Sequence, residues 1–435
     1  MPMTIAEKIL ARAAGRSQVR AGDFLTVPAD RILTNDIMTP VTRQALEAMG
    51  AKRLADPERL VVVADHFVPP KDALSSELLR KLRQFAADYQ VGRFYDVGRG
   101  GIEHSLLPQE GLVRPGDVII GADSHTCTMG AFGAFGTGMG ATDMAALMAL
   151  GTTWLRVPET IRFEFTGRPG PFVTGKDLIL RALQETGVSG ATYMAMEFGG
   201  EAVHGLNIDE RMALCNLAVE GGAKTGLVES DEVTRAWAEQ HVPGQGVFLN
   251  PDPGATYTAV HRIDVSDMPP LVAVPFLPAN VRAVDDVAGT EVVQVYLGNC
   301  ANGTLTDLRQ AASLMRGRRI AAGVRMIVVP ATQRIYQGAA REGLLDVFID
   351  AGAAVSMPTC GACFGGHNGV LSKGEAALAT TNRNFRGRMG DPESRVYLAN
   401  AYVAAATALT GTIVHPADMA SQASDKETSG NMSSP

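Results

Sequence analysis

Five near-continuous apolar runs constrain the fold of this chain more than any other feature: LVVVA (60–64), DVIIGA (117–122), VVQVYLG (292–298), VRMIVVP (324–330) and GAAVSMP (352–358). They lack the in-out alternation of a half-exposed strand, so they suit a parallel sheet covered on both faces by helices. Helical stretches alternate with them, as in TDMAALMALGTTWL from Thr142 and TDLRQAASLMRG from Thr306, and the pattern is α/β. Boundaries are expected near Pro158, where RVPETIRFEF opens a new strand-like run, and after the proline-rich DMPPLVAVPFLPANV. The expected units are 1–158, 159–280 and 281–416, and 435 residues suffice to give such units a substantial buried core. Residues 417–435, ADMASQASDKETSGNMSSP, carry too little apolar surface to offset their ordering entropy and are expected to form a disordered tail.

At the other end, Thr4 and Glu7 form a capping box ahead of Ile5, Ile9 and Leu10 at helical spacing, which reads as a folded amphipathic helix and not a signal peptide. The most apolar long segment, LANAYVAAATALTGTIV from Leu398, is interrupted by Asn400, threonines and Gly411. It falls short of the ~20 apolar residues of a membrane span and reads as a buried helix. Lys and Arg total 39 against 46 Asp and Glu, a net charge of −7, which argues against nucleic acid or an anionic membrane as the partner. A small anionic substrate would need a local basic pocket. Cysteines at 127, 215, 300, 360 and 363 are too few and too uneven for a disulfide framework, which points to a reducing compartment, by default the cytoplasm.

Chemistry is concentrated just beyond the apolar runs. Asp65 and His66 follow the first, residues 123–126 (DSHT) the second, Cys300 the third and TCGAC (359–363) the last. In open α/β sheets the ligand crevice lies at the carboxyl ends of the strands, so these four segments are expected to meet. Cys360 and Cys363 alone fit a redox dithiol, half of a zinc site, part of an iron–sulfur ligand set or two buried thiols. GACFGGHNG is too glycine-rich to start a thioredoxin-like helix, and a structural zinc needs a fourth ligand. Cys300, in LGNCANG, is the one further cysteine in a comparable strand-to-turn setting. Three thiolates without an obvious fourth suit a [4Fe-4S] cluster held by three corners with one iron open, a Lewis acid for a departing hydroxyl. Cys127 and Cys215 read as small buried hydrophobes. The glycines of GAFGAFGTGMGAT do not follow their strand directly, as a dinucleotide fingerprint must, and are better explained by close backbone packing.

The segments DHFVP, DVGRGGIEH, GADSHTCTMGAFGAFGTGMGATD, MEFGGEAVHGLNIDERMALCNLAVEGGAKTG, PTCGACFGGHNG and TTNRNFRGRMG together resemble the aconitase superfamily, within it the dehydratase large subunits of the shorter, homoaconitase-related type. The resemblance implies three α/β/α subdomains around an iron–sulfur cluster, without the fourth, swivelling domain. It implies Cys300, Cys360 and Cys363 as cluster ligands, and carboxylate–histidine pairs Asp65 with His66, Asp123 with His104 and Glu220 with His125. Such a carboxylate fixes the tautomer of the imidazole and raises its basicity. Ser124, Asn216, Asn382, Arg383 and Arg388 are implied as substrate-site residues, the arginines supplying the basic pocket. Asn216 precedes Glu220 by one helical turn, so both face one side. His204, His241, His261 and His415 are expected to be structural and Arg386 solvated; His367 is equally a turn residue or a support of the site.

The implied reaction is reversible dehydration of a malate-like hydroxy acid, as in the isomerisation of 2-isopropylmalate to 3-isopropylmalate in leucine biosynthesis. Homoaconitase, 2,3-dimethylmalate dehydratase and methylmalate or citraconate hydratase chemistry are the close alternatives. An RNA-binding regulator and a zinc protein are the rivals from other classes. A separate small subunit carrying the swivelling domain is expected to complete the enzyme, and the isolated chain is expected to be nearly inactive. The chain departs from the family's S-C-T-N-G-R at Asn299, Ala301 and Thr304, which leaves Cys300 and Asn302 in place but changes the surroundings of the expected ligand.

Overall fold

The computed structural model describes residues 1–419 except 243 and 245; the expected tail lies, from 420 onward, outside the described residues. Three larger sheets and a two-stranded ribbon organise the chain. The first sheet is parallel, in the order Arg93–Tyr95, Leu60–Val63, Arg31–Asn35, Val118–Gly121, Phe135–Gly138. Every residue of Leu60–Val63 and of Val118–Gly121 is buried, as their unbroken apolar character requires. From Arg31–Asn35 the chain winds outward on one side, then returns to lay Val118–Gly121 on the other. That reversal is a topological switch point, where loops leave in opposite directions and open a crevice.

The largest sheet repeats this arrangement. Its seven strands run Val281–Ala283, Leu271–Ala273, Arg395–Leu398, Ala376–Ala379, Gln294–Gly298, Arg325–Val329, Ala354–Val355, the first two pairings antiparallel and the rest parallel. Its switch point lies between Gln294–Gly298 and Ala376–Ala379, whose carboxyl ends lead into Cys300 and Asn382. Leu271–Ala273 belongs to this sheet although it precedes the expected boundary at 280. A parallel sheet of four, Thr225–Val228, Ala195–Gly199, Thr160–Thr166 and Ala259–Asp264, lies between them in the chain.

Local chemistry explains two differences from the sequence reading. The helix expected from Thr142 stops at Leu150 because Gly151 takes φ 75° and donates its N–H to Leu147 O. Residues 152–156 of the same apolar run become a strand, Thr152–Arg156, antiparallel to Phe24–Pro28. In the apolar segment from Leu398, Asn400 does not interrupt a helix but starts one: its side chain accepts the Val403 N–H and caps Ala401–Thr410. The capping box of Thr4 and Glu7 is present on Ile5–Ala13. Among the described residues no helix is long and apolar enough to cross a membrane.

Candidate functional site

The two switch points meet at one small pocket, lined by Asp65, His66, His104, Asp123 and His125 from the first sheet and by Cys300, Cys360, Cys363, Asn382 and Arg388 from the largest. A direct bond ties the walls: the Cys360 N–H donates to Asp65 O at 2.8 Å.

On the first wall Asp65 and His66 follow the strand Leu60–Val63, Asp123 and His125 follow Val118–Gly121, and His104 lies on the helix Glu103–Gln109. Asp65 Oδ1 lies 2.5 Å from His66 Nδ1, with both residues buried. Burial disfavours the charged ring, but the Asp65 charge, the hydrogen bond to Asp65 and the Asp36 carboxylate 3.6 Å away outweigh it, so His66 sits well above its ordinary range and holds a proton. Asp36 follows Arg31–Asn35 and is fully buried. Its Oδ1 accepts the N–H groups of Asp65 (3.2 Å) and His66 (3.0 Å), and its Oδ2 that of Phe67 (2.9 Å). Burial would raise its carboxyl, yet the nearby His66 ring, 3.6 Å away, and the backbone donors of His66 and Phe67 hold it below the usual carboxylate range. Residues 65–67 are thus moulded around an anion.

The other two pairs are looser and more connected. His125 Nε2 is 3.1 Å from Glu220 Oε1, while His125 Nδ1 stands 3.4 Å from Asp123 Oδ1. His104 Nε2 is 3.6 Å from Asp123 Oδ1 and 3.8 Å from Glu103 Oε1, beyond hydrogen-bond reach of either. Burial pushes His104 down to about 4, so its ring is neutral near pH 7. Glu103 is fully buried, accepts from Asn35 Nδ2 at 3.0 Å, and leaves Oε2 without a partner among the described residues. Burial, together with the Asp65 and Asp123 charges, pushes its carboxyl well above the usual range.

The second wall carries sulfur and amides. Cys300 and Cys363 are buried and Cys360 half-buried. The hydrogen bond between Cys360 and Cys363 holds Cys363 well below the thiol range and Cys360 well above it, so the pair shares one proton. Cys300 Sγ receives two amide donors, Asn216 Nδ2 at 3.1 Å and Asn382 Nδ2 at 3.2 Å. Burial and the Cys363 charge raise Cys300, and these two donors work against them. Tyr296 is fully buried under the turn of Cys360 and Cys363. Three thiols from two loops and side-chain N–H donors at one sulfur form a donor set suited to an iron–sulfur cluster.

Asn216 ends the helix Ile208–Asn216, and the chain tightens into a 3₁₀ turn over Leu217–Gly221, yet Asn216 and Glu220 both face the site. Arg383 donates from Nε to Glu220 Oε1 (2.6 Å) and from a terminal nitrogen to Ser124 Oγ (2.9 Å), joining two expected site residues. Arg388 Nε donates to Cys363 O at 2.7 Å, which leaves its terminal nitrogens for the pocket. His367 bonds Asn368 Oδ1 and Pro69 O and is a turn residue. His204 pairs with Glu229, His241 bonds Trp237 O, His261 stacks on Phe163 and His415 lies edge-on to Phe172. Arg386 is exposed, as expected of a solvated residue, with its guanidinium over the Phe276 ring. Cys127 and Cys215 are fully buried, and Cys127 Sγ donates to Asn216 O.

Sequence reasoning passed over Asn35, Asp36, Glu103 and Lys176. Asn35 and Asp36 stand at a strand's carboxyl end, the signal that found the others. Lys176 is fully buried, and its Nζ donates to Thr380 O (3.0 Å) and Thr381 O (2.7 Å), fastening the loop that presents Asn382. Burial brings it down to about 8.

Residues 7–411 match the aconitase family (aconitate hydratase). The 3-isopropylmalate dehydratase large subunit 2 of Rubrobacter xylanophilus is 50% identical over 97% of this chain and 99% of that protein. The 3-isopropylmalate dehydratase large subunit of Heliobacterium modesticaldum is 51% identical over 96% of this chain and all of that one. Among solved structures, the holo-form of Thermococcus kodakaraensis aconitase X aligns with a TM-score of 0.47 at 12% identity, covering 89% of this chain and 93% of that chain. With the family matched over nearly the whole length and relatives half identical throughout, the chain belongs to the aconitase family.

Proposed function

We propose that this chain is the large, catalytic subunit of a 3-isopropylmalate dehydratase, a hydro-lyase that interconverts 2-isopropylmalate and 3-isopropylmalate by loss and return of water. The observation that carries the reading is the meeting, in one pocket, of three thiols with protonated and neutral histidines, in a chain half identical to proteins of that name.

Cys300, Cys360 and Cys363 would hold a [4Fe-4S] cluster by three corners; when bound, it supplies a Lewis-acidic iron, free of a protein ligand, for the hydroxyl of the substrate. His66, kept protonated by Asp65 and Asp36, is the acid for the departing hydroxyl. His104 is neutral and His125 is bridged to Glu220 and Asp123, so these rings can take up and return protons as water leaves and re-enters. Arg388 and Arg383, with Ser124, Asn216 and Asn382 beside them, would take the substrate carboxylates. Charge that develops next to a carboxylate when the carbon-bound proton is removed falls on these guanidinium groups.

The names of the relatives specify a large subunit, and a small subunit carrying the swivelling domain would close the pocket and select the side chain of the substrate. We place the enzyme in the cytoplasm, where its thiols stay reduced. The test is anaerobic co-purification with the small-subunit candidate, iron and sulfide analysis, and a panel of hydroxy diacids. Expected are a brown protein that turns over 3-isopropylmalate and an isolated large subunit that does not. Zinc in place of iron and sulfide, or turnover confined to homoaconitase, dimethylmalate or methylmalate substrates, overturns the reading.

A further inference from the structure

The loop that carries Cys300 opens on Asn299. Asn299 is buried and takes φ 146°, a conformation unusual for a residue with a side chain and kept only where its surroundings fix it. Its Oδ1 accepts two backbone N–H groups of its own loop, those of Ala301 (3.0 Å) and Asn302 (2.7 Å). A backbone N–H can only donate, so the oxygen end of this amide is the end that faces them. The nitrogen end is thereby turned onto Asn382 and donates to its Oδ1.

The orientation then propagates. With its oxygen taken, Asn382 offers Nδ2 to the other side, to Asn216 Oδ1 at 2.7 Å and Cys300 Sγ at 3.2 Å. Asn216 in turn points Nδ2 at Thr128 Oγ1 (2.7 Å) and Cys300 Sγ (3.1 Å). The Thr128 hydroxyl, accepting there, donates to His125 O at 2.6 Å. The chain therefore starts on backbone donors and ends on a backbone acceptor, and Asn299, Asn382, Asn216 and Thr128 are all buried. A hydroxyl at 299 can rotate to accept or to donate and would dictate no direction.

We propose that Asn299 is a positioning residue: it fixes the direction of this hydrogen-bond chain so that two amide N–H groups face Cys300 sulfur. This rests on the reading of Cys300 as a cluster ligand, whose potential depends on hydrogen bonds to its sulfur. The test reconstitutes the full chain anaerobically as wild type, Asn299→Asp, Asn299→Ser and Asn299→Ala, and measures at pH 8.5 (about two units above neutral-range histidine titration) the midpoint potential and the rate of cluster loss to a chelator. An ionised aspartate fills the same space but accepts at both ends, so Asn382 must turn its nitrogen toward it and its oxygen toward the sulfur. Expected are a lowered potential and at least about tenfold faster cluster loss for Asn299→Asp, with Asn299→Ser between it and wild type.

Equal potential and equal cluster lifetime in Asn299→Asp and wild type overturn the proposal, since a merely space-filling residue gives that result. Should Asn299→Asp not fold, Asn299→Ala decides: the freed Asn382 amide is expected to lower the potential, and an unchanged potential overturns the proposal. A wild-type chain that takes up no iron or sulfide overturns the functional reading instead. The direction of the chain is then decided by apo-protein melting, where Asn299→Asp below Asn299→Ser supports it and Asn299→Asp equal to wild type overturns it.

Discussion

On the wall built by the largest sheet, the groups are held by N–H donors: amides to Cys300, the Arg388 guanidinium to the Cys363 carbonyl, the Lys176 amine to the carbonyls of Thr380 and Thr381. On the wall built by the five-stranded sheet, the groups are held by one another's charge, with Asp36, Asp65, Glu103 and Asp123 buried or nearly so among His66, His104 and His125. The first wall fixes positions, and its amide and guanidinium donors keep their protons at any moderate pH. The second sets protonation states, and each group there depends on the ionisation of its neighbours. On the proposed reading, cofactor binding and proton handling are therefore expected to be separable by substitution, although they would share one pocket.

The largest effect breaks the sulfur wall. Cys360→Ser is expected to lose iron and sulfide on reconstitution and to lower turnover of the assembled enzyme by about 10³-fold or more, since the Lewis acid supplies several kcal/mol. The apo variant should melt with the apo wild type. The next effect breaks the other wall. Asp65→Asn is expected to keep full iron and sulfide, because Cys360 N–H binds the Asp65 backbone oxygen, while turnover falls by roughly 10²–10⁴-fold. Its pH profile carries the sign. The Asp65 charge raises His66, so His66 acts as an acid below its folded-state value and is lost as pH rises through it. Removing that charge moves the alkaline limb to lower pH. Loss of the cluster in Asp65→Asn would show that the walls are not separable.

The contrast also governs how much of the site the sequence discloses. Cysteine and histidine are uncommon after apolar runs, so Cys300, Cys360, Cys363, His66 and His125 stand out at strand ends, and their convergence follows from where an α/β sheet opens. Asn35 and Asp36 obey the same rule but are masked by RILTN, whose polar Thr34 blurs the strand that delivers them. Glu103 hides behind its neighbour His104. Lys176 has no linear signal, because its meaning comes from carbonyls 204 and 205 positions away. The reading of TDMAALMALGTTWL as one helix missed the stop that Gly151 imposes, and the pairing of Thr152–Arg156 with Phe24–Pro28 is a tertiary outcome.

Two smaller effects sharpen the comparison. Arg388→Lys removes the Nε bond to Cys363 O and the planar fork that a carboxylate needs. A rise of about 10-fold to 100-fold in KM is expected, with less change in kcat and an unchanged cluster, measured by steady-state kinetics on the assembled enzyme.

Glu103→Gln is the mildest and tests the charge wall most directly. Burial and the Asp65 and Asp123 charges keep Glu103 neutral in the folded chain, above its unfolded value. Between those two values the folded state binds more protons than the unfolded one, so stability from this group is complete below the unfolded value and is lost as pH rises through the folded one. Glutamine has the same shape and never ionises. The variant should match wild type in turnover to within about threefold at neutral pH, far less than removal of a true proton-transfer group costs, and the difference in apo melting temperature, variant minus wild type, should grow as pH increases. If the difference stays flat across that range, Glu103 is ionised in the folded chain, and the second wall carries one more negative charge than the arrangement of Asp65, Asp123 and the unpartnered Oε2 implies.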